Sequence, residues 1–322
     1  MALLTIFSDL ALDDAGTALL REGVAPHLLV RAARTPSSVL SSLPHSLEGM
    51  DVVFGQPDPA GVLAARSVRW VHVTSAGYTR YDTPEFRAGA TARGLVLSNS
   101  SSVYDEPCAE HVLAFILAQA RQLPRGLRSR SAAGSDEWHR LRGDCRLLPT
   151  QSVVLLGYGA IAKRLVTLLA PFQMQVTALR RKPRGDEPVP IVTRDDLAAV
   201  LAGADHVVNI LPDNADSRHF IDGERLGQMK LGAVLYNIGR GPTVDQTALV
   251  EALRSGRLAA AWLDVTDPEP LPADHPLHQL ANCHITPHVG GGHRNESHSL
   301  VRHFLANFRR FLDGAPLHDR IM

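Results

Sequence analysis

Three polar side chains stand just past apolar runs in the second half of this 322-residue chain. Arg240 lies in YNIGRGPTVD (236–245), Glu269 in LDVTDPEPLP (263–272) and His288 in HITPHVGG (284–291). A guanidinium that keeps its charge, a carboxylate, and a side chain that titrates near neutrality together suit binding an acid and moving a proton. Each stretch reads as the exit of a strand, and open α/β sheets place ligands at strand exits. The three could converge on one cleft although they are far apart in sequence. Taken singly each has a plainer reading: His288 is one histidine among fifteen, Glu269 sits between prolines, and Arg240 precedes a glycine at a strand end.

A second feature concerns phosphate. SVVLLGYGAIAKRL (152–165) is an apolar run that meets Gly157 and Gly159 and then turns helix-like. In that strand–turn–helix context the pair matches the dinucleotide fingerprint. Gly157 permits the tight turn, Gly159 lets the backbone approach a pyrophosphate, and Ala162 allows close packing of helix on strand. Ala160 and Ile161 then open a helix whose free N–H groups and dipole favour the phosphates. An NAD-type site puts Asp or Glu about twenty residues on, at the end of the next strand. Here ALRRKPRG (178–185) puts Arg180 near that point, followed by Arg181, Lys182 and Arg184. A solvated basic loop is the bland reading. A clamp for a 2′-phosphate is the sharper one, with two charge-assisted hydrogen bonds contributing roughly 3 kcal/mol, about a hundredfold preference. The loop favours NADP over NAD.

The elements that must position these groups form two alternating series. LLTIF (3–7), HLLV (27–30), DVVFG (51–55), VRWVHV (68–73) and GLVLSN (94–99) read as strands, with a helix over 13–23. A long helix is expected over 106–123, stopped by Pro124. From Gln151 a second series gives six strands: 152–157, 175–179, 206–211, 233–239, 259–265 and 283–286. Helical patterns separate most of them, and a last helix is expected over 299–314. Strands alternating with helices imply doubly wound parallel sheets. The breaks at SNSSSV (98–103) and HVGGGHR (288–294) suggest one domain inserted into another: 1–100 and 289–322 form a substrate domain, and 101–288 a dinucleotide-binding domain. Two crossings make a hinge and leave a cleft, where ligands commonly bind.

Composition narrows the class. Lys+Arg and Asp+Glu balance at 33 each, so overall charge points to neither nucleic acid nor an anionic membrane. Three dispersed cysteines form no CxxC pattern, which argues against a disulfide scaffold or a zinc knuckle. Pro287 makes a shared helical face for His284 and His288 unexpected, so no metal is assigned. The amino-terminal stretch lacks a basic region before its apolar residues, and no apolar run has the length of a membrane span. A cytoplasmic protein is expected.

Taken in order, GYGAIA, NILPDNADS (209–217), NIGRG, LDVTDPEPLP and TPHVGG resemble the D-isomer-specific 2-hydroxyacid dehydrogenase family, which includes glyoxylate/hydroxypyruvate reductases. The resemblance covers most of the chain and is strongest from Val153 to Gly291. It implies two Rossmann-like, flavodoxin-like domains and hydride transfer between NADP(H) and a small 2-oxo or 2-hydroxy acid. It also implies roles: Arg240 binds the substrate carboxylate and carbonyl, His288 is the acid/base, and Glu269 pairs with His288. Asp264 would lie near the nicotinamide carboxamide, and Pro212, Ser217 and Ile238 would border the cofactor. TSAGYTRYD (74–82) resembles the loop whose backbone N–H groups, at Ala76 and Gly77, hold the substrate carboxylate. The segment 124–150 resembles loosely the arm of family dimers, which implies a homodimer. Rival readings within the resemblance are a dinucleotide-sensing, corepressor-like protein and phosphite or formate oxidation. The intact Glu269 argues against formate, since that branch carries glutamine. Thr79, where many members have aspartate, leaves the substrate side chain open.

Overall fold

The computed structural model describes residues 2–32 and 47–322. They form two units: Met1–Tyr104 with His293–Met322, and Asp105–Gly292. The sequence placed its breaks after residues 100 and 288; the units divide after Tyr104 and Gly292.

The first unit runs β1 (Thr5–Ser8), α1 (Asp14–Val24), β2 (Leu28–Arg31), β3 (Val52–Gly55), α2 (Pro59–Ala64), β4 (Trp70–Val73), α3 (Pro84–Arg93) and β5 (Val96–Ser98). Its five parallel strands lie in the order β2-β1-β3-β4-β5, the flavodoxin-like arrangement. Local chemistry sets the helix ends. Asp13 caps α1 by accepting the Gly16 N–H, and Thr83 caps α3 by accepting from Phe86, with Pro84 in the first turn and Gly94 (φ 64°) closing it. The central strands are buried on both faces, which is why they read as nearly continuous apolar runs, interrupted only by His72 in β4. Trp70 of β4 stacks on Phe304 and Phe311. Beneath it runs a buried polar chain. Trp70 Nε1 donates to Ser98 Oγ (2.8 Å), which meets His72 Nδ1 (2.7 Å), while His72 Nε2 meets Ser100 Oγ (3.2 Å). Ser100 Oγ donates to the Val73 carbonyl, so the network assigns the His72 proton to Nε2 and a donor role to Ser98.

The second unit begins within α4 (Ser101–Ala120), which continues to α5 (Leu123–Arg128) and α6 (Asp136–Asp144). Its sheet uses β6 (Ser152–Leu156), β7 (Gln175–Leu179), β8 (Ile191–Val192), β9 (His206–Asn209), β10 (Ala233–Asn237), β11 (Leu258–Leu263) and β12 (Cys283–Ile285). Between them lie α7 (Ala160–Leu169), α8 (Leu197–Leu201), α9 (Gly223–Gln228) and α10 (Gln246–Arg254). The order β12-β11-β10-β9-β6-β7-β8 is parallel throughout, and winding reverses between β6 and β9. The chain then returns to the first unit in α11 (Glu296–Leu312), whose apolar face contributes Leu300, Val301, Phe304 and Phe308 to its core.

Three expectations need correction. The second sheet has seven strands, not six; β8 is a two-residue edge strand, too short to leave a periodic signal. Pro124 does not stop the long helix. α4 ends at Ala120, the chain turns at Gln122 (φ 52°), and Pro124 opens α5, where a missing N–H costs nothing. α4 also starts earlier, at Ser101, and carries Pro107 inside it. A feature without a sequence signal completes the first sheet: the tail 319–322 pairs along β5, exchanging bonds between Leu97 and both Ile321 and Met322, and thereby covers an edge.

Candidate active site

The glycine turn lies where the winding of the second sheet reverses, the usual ligand position in open α/β sheets. Gly157 has φ 106°, and a Cβ there would press on the Ile210 carbonyl at 3.3 Å. Gly159 differs: a Cβ there would meet nothing within 4 Å, and as N-cap of α7 it offers no side chain to the first N–H groups. Packing within the protein therefore does not require a glycine at 159. Close approach of a ligand to the first N–H groups of α7 would favour one, and these residues fit a dinucleotide diphosphate. Ala160 and Ile161 are half-buried behind the turn, and Ala162 is buried against the core.

The three polar side chains follow β10, β11 and β12, which are neighbours in parallel register, with Asn237 beside Leu263 and Leu263 beside Ile285. Their exit loops approach backbone to backbone. A Cβ on Gly241 would fall 1.9 Å from the Thr266 carbonyl, and one on Gly239 would fall 2.7 Å from that of Leu211. The glycines of NIGRG are thus demanded by close approach. Between them Arg240 is half-buried, with Nη1 donating to the Gly239 carbonyl (2.6 Å). Its own carbonyl accepts from Thr243 Oγ1 (2.5 Å) and Asn237 Nδ2 (3.3 Å).

His288 and Glu269 meet directly, Nδ1 to Oε1 at 2.5 Å. The bond leaves Nε2 of His288 without a partner among the described residues. The histidine sits in a left-handed conformation (φ 53°) in a turn fastened by Asp264. Asp264 is 4% exposed. Its Oδ1 accepts from Thr286 Oγ1 (2.6 Å) and the Val289 N–H (2.9 Å), and its Oδ2 from the Gly290 N–H (2.8 Å). A Cβ on Gly290 would collide with Oδ2 at 2.7 Å, so the glycine allows this clamp.

His111 of α4 adds to the group, with Nε2 3.3 Å from Thr286 Oγ1 and 3.6 Å from Asp264 Oδ1. Burial lowers its proton affinity and Asp264 opposes that shift. Cys108 lies in the field of Asp264 and Arg240; burial foremost pushes its thiol up to about 12. Neither His111, Cys108 nor Thr286 stood out in the sequence. An i, i+3 pair on a helix resembles ordinary packing until the strand exits are brought beside it.

The remaining expected cofactor residues are placed as follows. Ser217 is turned into its own loop, donating to the Pro212 carbonyl (2.5 Å), so its hydroxyl shapes 212–217. Pro212 is exposed there, and Ile238 is buried in the core beside the β10 exit. Arg180 follows β7 and is paired with Glu187 at 2.7 Å, while Arg181 is exposed and pairs with Asp216 at 3.2 Å. Both guanidiniums are thus already bonded to carboxylates, which charge counting along the loop did not reveal.

In the first unit, the loop after β4 turns its carbonyls inward. The Ser75 carbonyl accepts the Ser100 N–H, that of Ala76 accepts Asn99 Nδ2 (2.6 Å), and that of Gly77 accepts Ser75 Oγ (2.5 Å). The N–H groups of Ala76 and Gly77 donate to nothing among the described residues, an arrangement suited to an anion.

Residues 113–290 match the sequence profile described as "D-isomer specific 2-hydroxyacid dehydrogenase, NAD binding domain". Glyoxylate/hydroxypyruvate reductase B of Yersinia pestis (strain Pestoides F) is 31% identical over 305 residues, 92% of this chain and 91% of the relative. The chain belongs to the D-isomer-specific 2-hydroxyacid dehydrogenase family. An uncharacterised Corynebacterium melassecola protein is 38% identical over 193 residues, a match spanning 60% of this chain and 63% of that protein. Among solved structures, a D-isomer-specific 2-hydroxyacid dehydrogenase from Xanthobacter autotrophicus Py2, in complex with NADPH and MES, superposes with a TM-score of 0.79. It is 25% identical, and the match covers 100% of this chain and 98% of that one. The dehydrogenase family accounts for the two parallel-sheet α/β units, and its members are oxidoreductases that use NAD(P). Among the described residues of this member, no helix is long and apolar enough to cross a membrane.

Proposed function

We propose that this dehydrogenase reduces small 2-oxo acids of the glyoxylate/hydroxypyruvate class to D-2-hydroxy acids with NADPH, with His288 as the acid/base. The observation that carries the reading is the His288–Glu269 contact at 2.5 Å with Nε2 left open. A bound nicotinamide dinucleotide supplies the hydride. As charge builds on the carbonyl oxygen, His288 Nε2–H donates the proton, while Glu269 accepts the Nδ1–H bond and orients the ring. Arg240 offers a rigid fork to the carboxylate, a geometry that lysine lacks. The unbonded N–H groups of Ala76 and Gly77 are the further carboxylate donors of this proposal. Gly157, Gly159, Ala160 and Ile161 cradle the diphosphate, with Pro212, Ser217, Ile238 and Asp264 around the rest of the dinucleotide and Arg180 and Arg181 at the 2′ position.

The relative named glyoxylate/hydroxypyruvate reductase B supports the substrate class, and the NADPH-bound neighbour supports the cofactor. Leu127 and Leu147 are 80% and 74% exposed on the segment after α4, which supports a homodimer. Turnover of a panel of 2-oxo acids, each with NADPH and NADH, is the test. Highest kcat/KM for glyoxylate or hydroxypyruvate with NADPH is expected. No turnover of any 2-oxo acid with either cofactor would overturn the proposal.

A further inference from the structure

The loop between β7 and β8 is a run of exposed charges in which one side chain behaves differently. Glu187 is 4% exposed at its side chain, and three donors consume its carboxylate. Oε1 accepts Arg180 Nη1–H (2.7 Å) and the Arg184 N–H (2.9 Å), and Oε2 accepts the Gly185 N–H (2.8 Å). Gly185 has φ +84°, the left-handed turn that lets two successive N–H groups aim at one carboxylate. The Arg184 N–H first, with the Gly185 N–H and Arg180 after it, holds the carboxyl down at about 2 against the opposing effect of burial. Glu187 therefore carries its charge at any physiological pH.

The location gives this staple more than a local meaning. Arg180 follows β7, the second strand of the dinucleotide unit, where such folds meet the adenosine ribose. Tyr158, between the two turn glycines, lies in the combined field of Glu187, Arg180 and Asp186. A free carboxylate here would repel a 2′-phosphate, but this one is held by three donors, and one of them, the Arg180 guanidinium, offsets its charge. Arg180 is left 20% exposed and held at one nitrogen, while Nε and Nη2 have no acceptor among the described residues. From Arg180 to Glu187 the loop reads four basic residues against two acidic, so it stays net positive.

We propose that Glu187 is the positioning residue for 2′-phosphate recognition: by closing 180–187 it sets Arg180 in a single orientation before the dinucleotide arrives. This rests on the reading of NADPH as the cofactor. The advantage is preorganisation, since an arginine already immobilised loses less freedom on binding. The role belongs to a residue seven positions away from the one it serves.

Calorimetric titration of the full chain with adenosine 2′,5′-bisphosphate and with 5′-AMP tests this without turnover. The wild type is expected to prefer the bisphosphate by about tenfold or more. Glu187→Gln, which keeps an acceptor for the backbone but loses the charge, is expected to forfeit most of that preference while 5′-AMP binding stays unchanged. Arg180→Ala is expected to lose a similar amount, and the double variant no more than Arg180→Ala alone, because Glu187 acts through Arg180. If Glu187→Gln does not fold, Glu187→Asp, one methylene too short to hold all three donors, is read in the same way. A wild type that binds both compounds alike would overturn the cofactor reading and this inference together. A discriminating wild type with an equally discriminating or more selective Glu187→Gln, or losses that add in the double variant, would overturn this inference alone.

Discussion

The main-chain carbonyl of Asp264 accepts the His288 N–H at 2.9 Å, and its side chain accepts the two N–H groups that follow, from Val289 and Gly290. One residue at the exit of β11 thus determines the conformation of the turn at the exit of β12. His288 is a half-exposed side chain on a tightly held backbone, and the imidazole needs only Glu269 to complete its orientation.

Replacing that carboxylate is expected to affect catalysis and stability together. Asp264→Asn keeps the shape but points an NH2 group at donors. The loss expected for a buried charge-assisted hydrogen bond is about 1–3 kcal/mol. A lower melting temperature with at least a tenfold drop in kcat is the expected pair of results, by calorimetry and steady-state kinetics. Wild-type kcat in a destabilised variant would separate Asp264 from the chemistry.

The proton donor is tested by removal. His288→Ala is expected to lose roughly a hundredfold or more in kcat, the usual scale of general acid–base catalysis, while its Kd for NADPH stays near that of the wild type. Glu269→Gln retains the shape and is expected to lose less, with the deficit in kcat and not in cofactor binding. Near-normal turnover by His288→Ala, with chemistry rate-limiting, would place the proton donor elsewhere.

Two glycines are expected to respond in opposite ways. Gly241→Ala forces a Cβ to within 1.9 Å of the Thr266 carbonyl, so misfolding or a loss of several kcal/mol is expected. Gly159→Ala places its Cβ in open space at an ordinary φ of −92°. Its melting temperature should stay near wild type while the Kd for NADPH rises by about tenfold or more. A Gly159→Ala protein that binds NADPH normally would show that no phosphate lies against this turn.

The buried polar chain of the first unit carries a pH prediction. Burial foremost, with His303 assisting and Asp319 opposing, lowers His72 from 6.5 to about 3. Above pH 6.5 it is neutral whether folded or unfolded, and its contribution to stability is complete. As pH falls from 6.5 towards 3, the unfolded chain takes up a proton that the folded chain refuses, so stability declines by about 2 kcal/mol by pH 5. His72→Gln, which retains polar groups for Ser98 and Ser100, is expected to shed about one proton of uptake from the acid slope. The slope is read from denaturant unfolding at several pH values against wild type, because His206, lowered to about 4 chiefly by burial, contributes its own acid dependence. An unchanged slope would mean that His72 is already protonated in the folded protein.

Much of this was legible along the chain because the signals are local. A strand buried on both faces is apolar along most of its length, so SVVLL, HVVN and AVLYN announced themselves by their valines and leucines, with buried His206, Asn209 and Asn237 only at strand ends. Asp13, Thr83 and Asp245 cap helices within three residues of their own positions. The ends of α4 are not legible in the sequence because Pro107 and Pro124 carry opposite meanings by context, one tolerated inside a helix and one opening the next. The tail along β5 left no trace, since backbone pairing at an edge asks little of side-chain type.

For the site, the residue types that chemistry requires and the parallel order of the strand exits were determined by the sequence, because both follow from composition and short-range periodicity. Which partner each side chain takes was decided only in three dimensions. Glu269 and His288 are 19 positions apart, Gly241 owes its identity to a carbonyl 25 residues on, and Asp264 spends its charge on a turn in another strand's exit. Arg180 is the sharpest case. Its charge is plain in the sequence, yet its orientation depends on a loop folding back to bring a buried carboxylate within 2.7 Å. Hydrogen bonds act over about 3 Å of space whatever the separation along the chain, so their pairing waits for the fold.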